Sequence, residues 1–142
     1  MKLLSYSLFV CFVFLSCGGD GTKLSSHTFP AEGWSSQDKV TFESMNITAD
    51  SGIYLRVIYT YDYGYENLYI NLAIDNEEPK IISVSLMDDM GRWKGVKSGD
   101  DYLYDHDISH EASTFTNTIS IEQYSRDPIL EGIKGIQLVQ KP

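Results

Sequence analysis

The chain is poor in cysteine, proline, histidine and basic residues: its 142 residues include 2 Cys, 4 Pro, 3 His and 11 Lys plus Arg. Each shortage excludes something. Two cysteines, Cys11 and Cys17, build no disulfide framework, so an apolar core has to hold the fold unaided. Eleven bases against 20 acids, a net charge of −9, leave no basic stripe for nucleic acid or anionic lipid headgroups, both of which reward clustered Lys and Arg. No apolar run reaches the about 20 residues that cross a bilayer; the longest, Leu3–Leu15, has 13. Beyond it, no stretch keeps the helical period of 3.6 for more than about two turns. A nucleophile elbow, a zinc-protease helix and a P-loop are all missing. No catalytic residue, cofactor or resident metal is therefore expected, and the chain is read as a non-enzyme.

What is present begins with an export segment. Lys2 precedes the 13-residue apolar stretch, and Ser16-Cys17-Gly18-Gly19 follows it. That length suits a signal peptide, whose apolar core needs about 7 to 15 residues. The Leu15-Ser16-Cys17-Gly18 junction resembles a bacterial lipobox, with Phe14 where Leu is usual, so residues 1–16 are read as a lipoprotein signal peptide and Cys17 as the lipidation site. Cys11 leaves with the signal, and the mature chain keeps 10 bases, 20 acids and a net charge of −10, since residues 1–16 hold one Lys and no acid. Residues 17–26, rich in Gly and Ser, read as a flexible tether from the lipidated cysteine. Only one acid, Asp20, closely follows Cys17.

From residue 27 to 142 the periodicity is mostly 2, broken by turn-forming clusters, which indicates one all-β domain. Val40 and Phe42 share a face. Leu55, Val57 and Tyr59 oppose Arg56 and Thr60. Leu68, Ile70, Leu72 and Ile74 oppose Tyr69, Asn71 and Ala73. Ile82, Val84 and Leu86 alternate with Ser83 and Ser85, then Phe115, Ile119 and Ile121 with Thr116, Thr118 and Ser120, and Gly135–Val139 closes the chain. Seven or so short strands suggest a single β-sandwich, either immunoglobulin-like or jelly-roll.

Several landmarks then fall in order: the Cys17 junction, Gly33-Trp34 leading into Asp38-Lys39-Val40-Thr41-Phe42, the Tyr63-to-Tyr69 segment around Asn67-Leu68-Tyr69-Ile70, Met90-Gly91-Arg92-Trp93-Lys94-Gly95, Ser120-Ile121-Glu122-Gln123 with Arg126 after it, and Leu130-Glu131-Gly132-Ile133-Lys134-Gly135-Ile136. Taken together over residues 17–142, they resemble the gliding-motility lipoprotein GldH family of the Bacteroidetes. The chain is shorter than usual for that family and carries Tyr124-Ser125-Arg126 where an Ala-Met-Arg-like run is more common. The resemblance implies a non-enzymatic, lipid-anchored outer-membrane protein, associated with gliding motility and the type IX secretion system and docked on an outer-membrane or periplasmic protein complex; because some members of that phylum use several acids after the lipidated cysteine as a surface-export signal, the single Asp20 favours the periplasmic face over the cell surface. The alternative is a carbohydrate-binding lipoprotein of a polysaccharide-uptake system, with weak glycan binding as its activity.

Three sets of residues are candidates for function. Tyr61, Tyr63 and Tyr65 stand in a run of six tyrosines and are expected on one face of a hairpin tip, as a protein interface, a stacking surface for sugars or ordinary sheet cover. Asp100 to Glu111, with five carboxylates and two histidines in 12 residues, is read as a solvated loop. Calcium would need six to eight converging oxygens there, and zinc on His106 and His110 would need a helix. Trp34 and Trp93 are each expected to plug the core at a sheet end, the cations beside Trp93 being able to lie over its indole. Gly132 and Gly135 are expected to serve backbone geometry.

Overall fold

The structure, a computed structural model, describes residues 21–43, 46–112 and 116–142; the signal peptide, Cys17 and Phe115 lie outside the described residues. Its strands are β1 (Thr22–Thr28), β2 (Trp34–Ser35), β3 (Val40–Glu43), β4 (Gly52–Tyr59), β5 (Asn67–Ile74), β6 (Lys80–Ser85), β7 (Val96–Ser98), β8 (Asp101–Asp107), β9 (Thr118–Gln123), β10 (Ile129–Leu130) and β11 (Ile133–Lys141). They form a five-stranded sheet ordered β1-β11-β4-β8-β7, a four-stranded sheet ordered β3-β9-β5-β6, and a small β10-β2 pair.

The pairing decides between the two sandwiches. Every ladder is antiparallel, and the eight main strands nest: β1 pairs with β11, β3 with β9, β4 with β8 and β5 with β6. First with last and middle with middle is a long hairpin rolled over on itself, which is the jelly-roll. Two further ladders, β11 with β4 and β9 with β5, join the nested pairs into the two sheets.

One core lies between those sheets. Leu55, Val57 and Tyr59 of β4 and Ile136 and Leu138 of β11 face Leu68, Ile70 and Leu72 of β5 and Ile119 and Ile121 of β9, all of them buried. Period-2 alternation produces this, because successive residues of a strand point to opposite faces. Burying each such side chain is worth about 1.5–3 kcal/mol. Tyr59 is fully buried without an orphaned hydroxyl: it donates to the Leu86 carbonyl at 3.2 Å and accepts from Gly95 N–H at 3.1 Å. Burial pushes its pKa up, against the opposing effect of the Gly95 bond, so it stays protonated.

Two expectations are corrected. Thr22–Ser26, assigned to the tether, lie in β1, where they pair with the end of β11. The polar sequence Thr-Lys-Leu-Ser-Ser has no periodicity of its own; its order comes from the ladder hydrogen bonds of an edge strand and from Leu24, which packs against the core.

The segment from Asp100 to Glu111 is not a solvated loop either, because Asp101–Asp107 is a strand inside the five-stranded sheet, between β4 and β7. Tyr102, Tyr104 and His106 sit opposite Tyr59, Val57 and Leu55 and share their inner face. Asp105 sits opposite Arg56 on the outer face, bridged through Nε at 2.7 Å and Nη2 at 2.9 Å, and takes Lys141 Nζ at 2.7 Å as well. Partial burial pushes the Asp105 carboxyl up, but the hydrogen bonds and charges of Arg56 and Lys141 outweigh it and the net direction is down. Burial lowers the His106 pKa and favours the neutral imidazole. The segment is strand and turn rather than helix, which removes the zinc spacing. Among the described residues no group of three or more His, Cys, Asp or Glu could hold a metal ion.

The sandwich has two distinct ends. The chain enters at Thr22, opposite Gln140, which lies opposite Ile53, and Tyr54 next to it lies opposite Asp107. The other end is marked by Thr28, Tyr59 and Tyr102, and there the β4–β5 and β9–β10 connections emerge.

Candidate functional site

At the end away from Thr22 a cleft of about 830 Å³ opens between the β4–β5 connection, the start of β5 and the β9–β10 connection. Tyr63, Tyr65, Tyr69, Tyr124, Arg126 and Asp127 line it, with Glu66, Asn67, Ser125 and Leu130 completing the wall.

Local hydrogen bonds shape both connections. Thr60 N–H donates to the Gly132 carbonyl at 2.8 Å, and Tyr63 N–H to the Thr60 carbonyl at 3.1 Å, which turns the chain back after β4. Tyr124 N–H donates to the Tyr69 carbonyl at 2.8 Å and continues the β9–β5 pairing one residue past β9. Asp127 N–H then meets Ser125 Oγ at 3.1 Å, a side-chain turn that curls the loop. From beneath, the buried Gln123 side chain reaches the Asp127 carbonyl at 3.0 Å and the Trp34 carbonyl at 3.4 Å. Its Oε1 is the buried side-chain atom left without a partner among the described residues.

The floor rests on β2 and β10. Leu130 lines the cleft and pairs with Trp34, whose ring is fully buried and stacked on Phe29 at a centroid distance of 4.7 Å. The indole N–H donates to the Asp38 carbonyl at 2.9 Å. Trp34 thus plugs the core at a sheet end, as its sequence context suggested. Trp93 does so only in part: it is partly buried, edge-on to Tyr59 at 5.3 Å. The cations beside it go elsewhere, Lys94 over the Tyr104 ring at 5.6 Å and Arg92 to Asp88 at 3.1 Å.

The three tyrosines expected on one face are separated. Tyr61 is 70% exposed and does not line the cleft, Tyr63 is buried at 4%, and Tyr65 is half exposed. Tyr63 turns inward because its hydroxyl finds the Asn67 carbonyl at 2.8 Å, which removes the cost of burying it. Tyr65 packs edge-on against it at 5.7 Å and donates its hydroxyl to Asp127 Oδ2. Burial first, then the neighbouring Tyr65 and Asp127, raises the pKa of Tyr63; the hydrogen bond to Asp127 raises that of Tyr65. Both hydroxyls keep their protons at neutral pH.

Tyr69, Tyr124, Arg126 and Asp127 complete the site and were not singled out from the sequence as site residues. Asp127 lies 62 residues from the Tyr65 it holds, so only the β9–β5 register brings the two loops together. A polar, aromatic run directly after an alternating strand was the available sign.

Gly132 fixes how closely the β10–β11 turn approaches the cleft. It has φ of +87°, and a Cβ placed on it would stand 2.4 Å from Tyr63 N and 2.8 Å from Tyr63 Cα. Backbone atoms have little freedom to yield, and the left-handed conformation alone costs a non-glycine residue about 1–2 kcal/mol. Gly132→Ala is expected to lower the unfolding free energy by about 2–4 kcal/mol, read as a shift in the urea midpoint. A loss below about 0.5 kcal/mol, the size of a neutral surface change, would show that the turn does not need glycine.

No curated protein and no solved structure matches the chain. One family model does, described as GldH lipoprotein, and it covers residues 23–138, from the first strand to near the end of the last. By that match over most of its length, the chain belongs to the GldH lipoprotein family.

Proposed function

We propose that this protein is a non-enzymatic accessory or structural lipoprotein of the outer membrane, held at its periplasmic face by lipid on Cys17. It serves the gliding apparatus and the type IX secretion system that shares components with it, docked on an envelope protein complex through one face of the sandwich. The family match over residues 23–138 carries this reading and favours it over a polysaccharide-uptake system. The non-enzymatic part rests on the missing catalytic motifs. An excess of acid at the tether end fits a domain that relies on its lipid rather than on headgroup contact: Asp75, Glu77, Glu78 and Glu111 in the turns and Asp107 at the end of β8 outnumber Lys23, Lys80 and Lys141 there, and anionic surfaces repel that excess.

The test is deletion of the gene in its host. Cargo of the secretion system is expected to disappear from the medium and accumulate in the periplasm, with loss of colony spreading where the host glides. Cargo export and spreading at parental levels would contradict the proposal.

A further inference from the structure

The cleft at the far end of the sandwich has a chemistry that docking on a protein complex does not use up. Tyr65, Tyr69 and Tyr124 are each about half exposed at its wall, at 51%, 46% and 52%. A tyrosine ring gives a flat apolar face, at the cost of few rotamers, with a polar tip. Between the rings stand groups of both hydrogen-bonding senses. Among the described residues no carboxylate pairs with the Arg126 guanidinium, which can donate. Asp127 uses Oδ2 for Tyr65, and no described donor meets its Oδ1, which can accept. Asn67 and Ser125 add neutral polar groups.

A pyranose has the matching surface, with a face of C–H groups to lie on an aromatic ring and hydroxyls that both donate and accept around its rim. The volume suits a short oligosaccharide, within the about 300–1,000 Å³ of small-molecule sites. Charge narrows the class further. Glu66 and Asp127 outnumber Arg126 in the wall, so a neutral sugar fits and an acidic one is disfavoured.

An extended peptide fits less well. It needs either a free strand edge or apolar anchor pockets. The strand beneath the cleft, β5, is hydrogen-bonded on both sides by β9 and β6, and β10 is two residues long. Leu130, the aliphatic residue of the wall, is buried at 2%.

We infer that the Tyr65–Tyr69–Tyr124 cleft is a binding site for a neutral glycan chain, placed at the end of the domain away from the N-terminal tether and so turned away from the anchoring bilayer. The inference is independent of the motility and secretion role, and its failure leaves that role standing.

The experiment uses the full lipoprotein in a zwitterionic detergent without sugar headgroups, on an array of neutral and acidic oligosaccharides with cello-, xylo-, malto- and manno-hexaose among the neutral members. At least one neutral hexasaccharide is expected to be retained. Tyr124→Ala and Tyr69→Ala are each expected to weaken retention by about tenfold or more, with both variants still folding cooperatively because each ring is about half exposed and neither belongs to the buried core. Failure to retain any neutral glycan, equal retention by both variants, or preference for acidic glycans would overturn the proposal. So would a photo-crosslinker at position 124 that captures polypeptide rather than polysaccharide in intact envelopes.

Discussion

Trp34→Ala is expected to lower the unfolding free energy by about 3–5 kcal/mol, the range for removing a fully buried large aromatic. Small domains have only about 5–15 kcal/mol in all, so the variant should show a marginal native state and a large drop in its urea midpoint. The effect has three sources. The ring is fully buried, it stacks on Phe29 at 4.7 Å, and its N–H satisfies the Asp38 carbonyl at 2.9 Å. Trp34→Phe keeps most of the volume and the stacking but removes the donor, and should cost about 1–3 kcal/mol. Trp93→Ala, at a partly buried rim position, should cost less than Trp34→Ala. A Trp34→Ala loss below about 1 kcal/mol, or one smaller than that of Trp93→Ala, would mean that the core end is organised differently.

This contrast marks a limit of reading the chain by its pattern. Both tryptophans follow a glycine or a Gly-Arg pair and look alike locally; what separates them is a stacking partner for one and a solvent-facing rim for the other. Strands whose inner face is wholly apolar were legible, as with Leu68, Ile70, Leu72 and Ile74 on β5 or Val40 and Phe42 on β3. There the side-chain period alone determines the face.

The strand β8 was hidden because its inner face is Tyr102, Tyr104 and His106, each partly polar, while its outer face carries carboxylates. The partners that make those charges compatible with a sheet, Arg56 and Lys141, lie 49 and 36 positions away. Local composition therefore pointed to a loop. The edge strand β1 was hidden for a related reason, since ladder bonds to β11 order most of it and Leu24 is its one aliphatic residue packed against the core.

The cleft was half legible. Tyrosines near a hairpin tip suggested an interface, and Tyr65 does line a cleft, yet their spacing could not tell which ring would turn inward. That depends on the Asn67 carbonyl being placed to accept the Tyr63 hydroxyl. The opposite wall comes from the β9–β10 connection, which only the register of β9 against β5 brings into place. The choice between the two sandwich types was likewise closed to periodicity, because alternation says which face is buried and nothing about which strand is the neighbour.

The attachment of this domain to a bilayer is the claim on which its envelope role depends, and the second large effect lies there. Acyl chains contribute about 0.8 kcal/mol per buried methylene, so two or three long chains amount to tens of kcal/mol and effectively permanent anchoring. The first strand, β1, starts at Thr22, five positions beyond Cys17, so lipid on that cysteine would hold the sandwich close to the bilayer. Fractionation of envelopes from cells expressing the parent and Cys17→Ser, each followed by mass spectrometry of its N-terminal peptide, tests this most directly. The account predicts a parent that partitions with the membrane and begins at an acylated Cys17, and a variant that appears in the soluble fraction or keeps an uncleaved signal. A cleaved Cys17→Ser protein that sediments with membranes as the parent does, or a parent beginning at an unmodified cysteine, would contradict it.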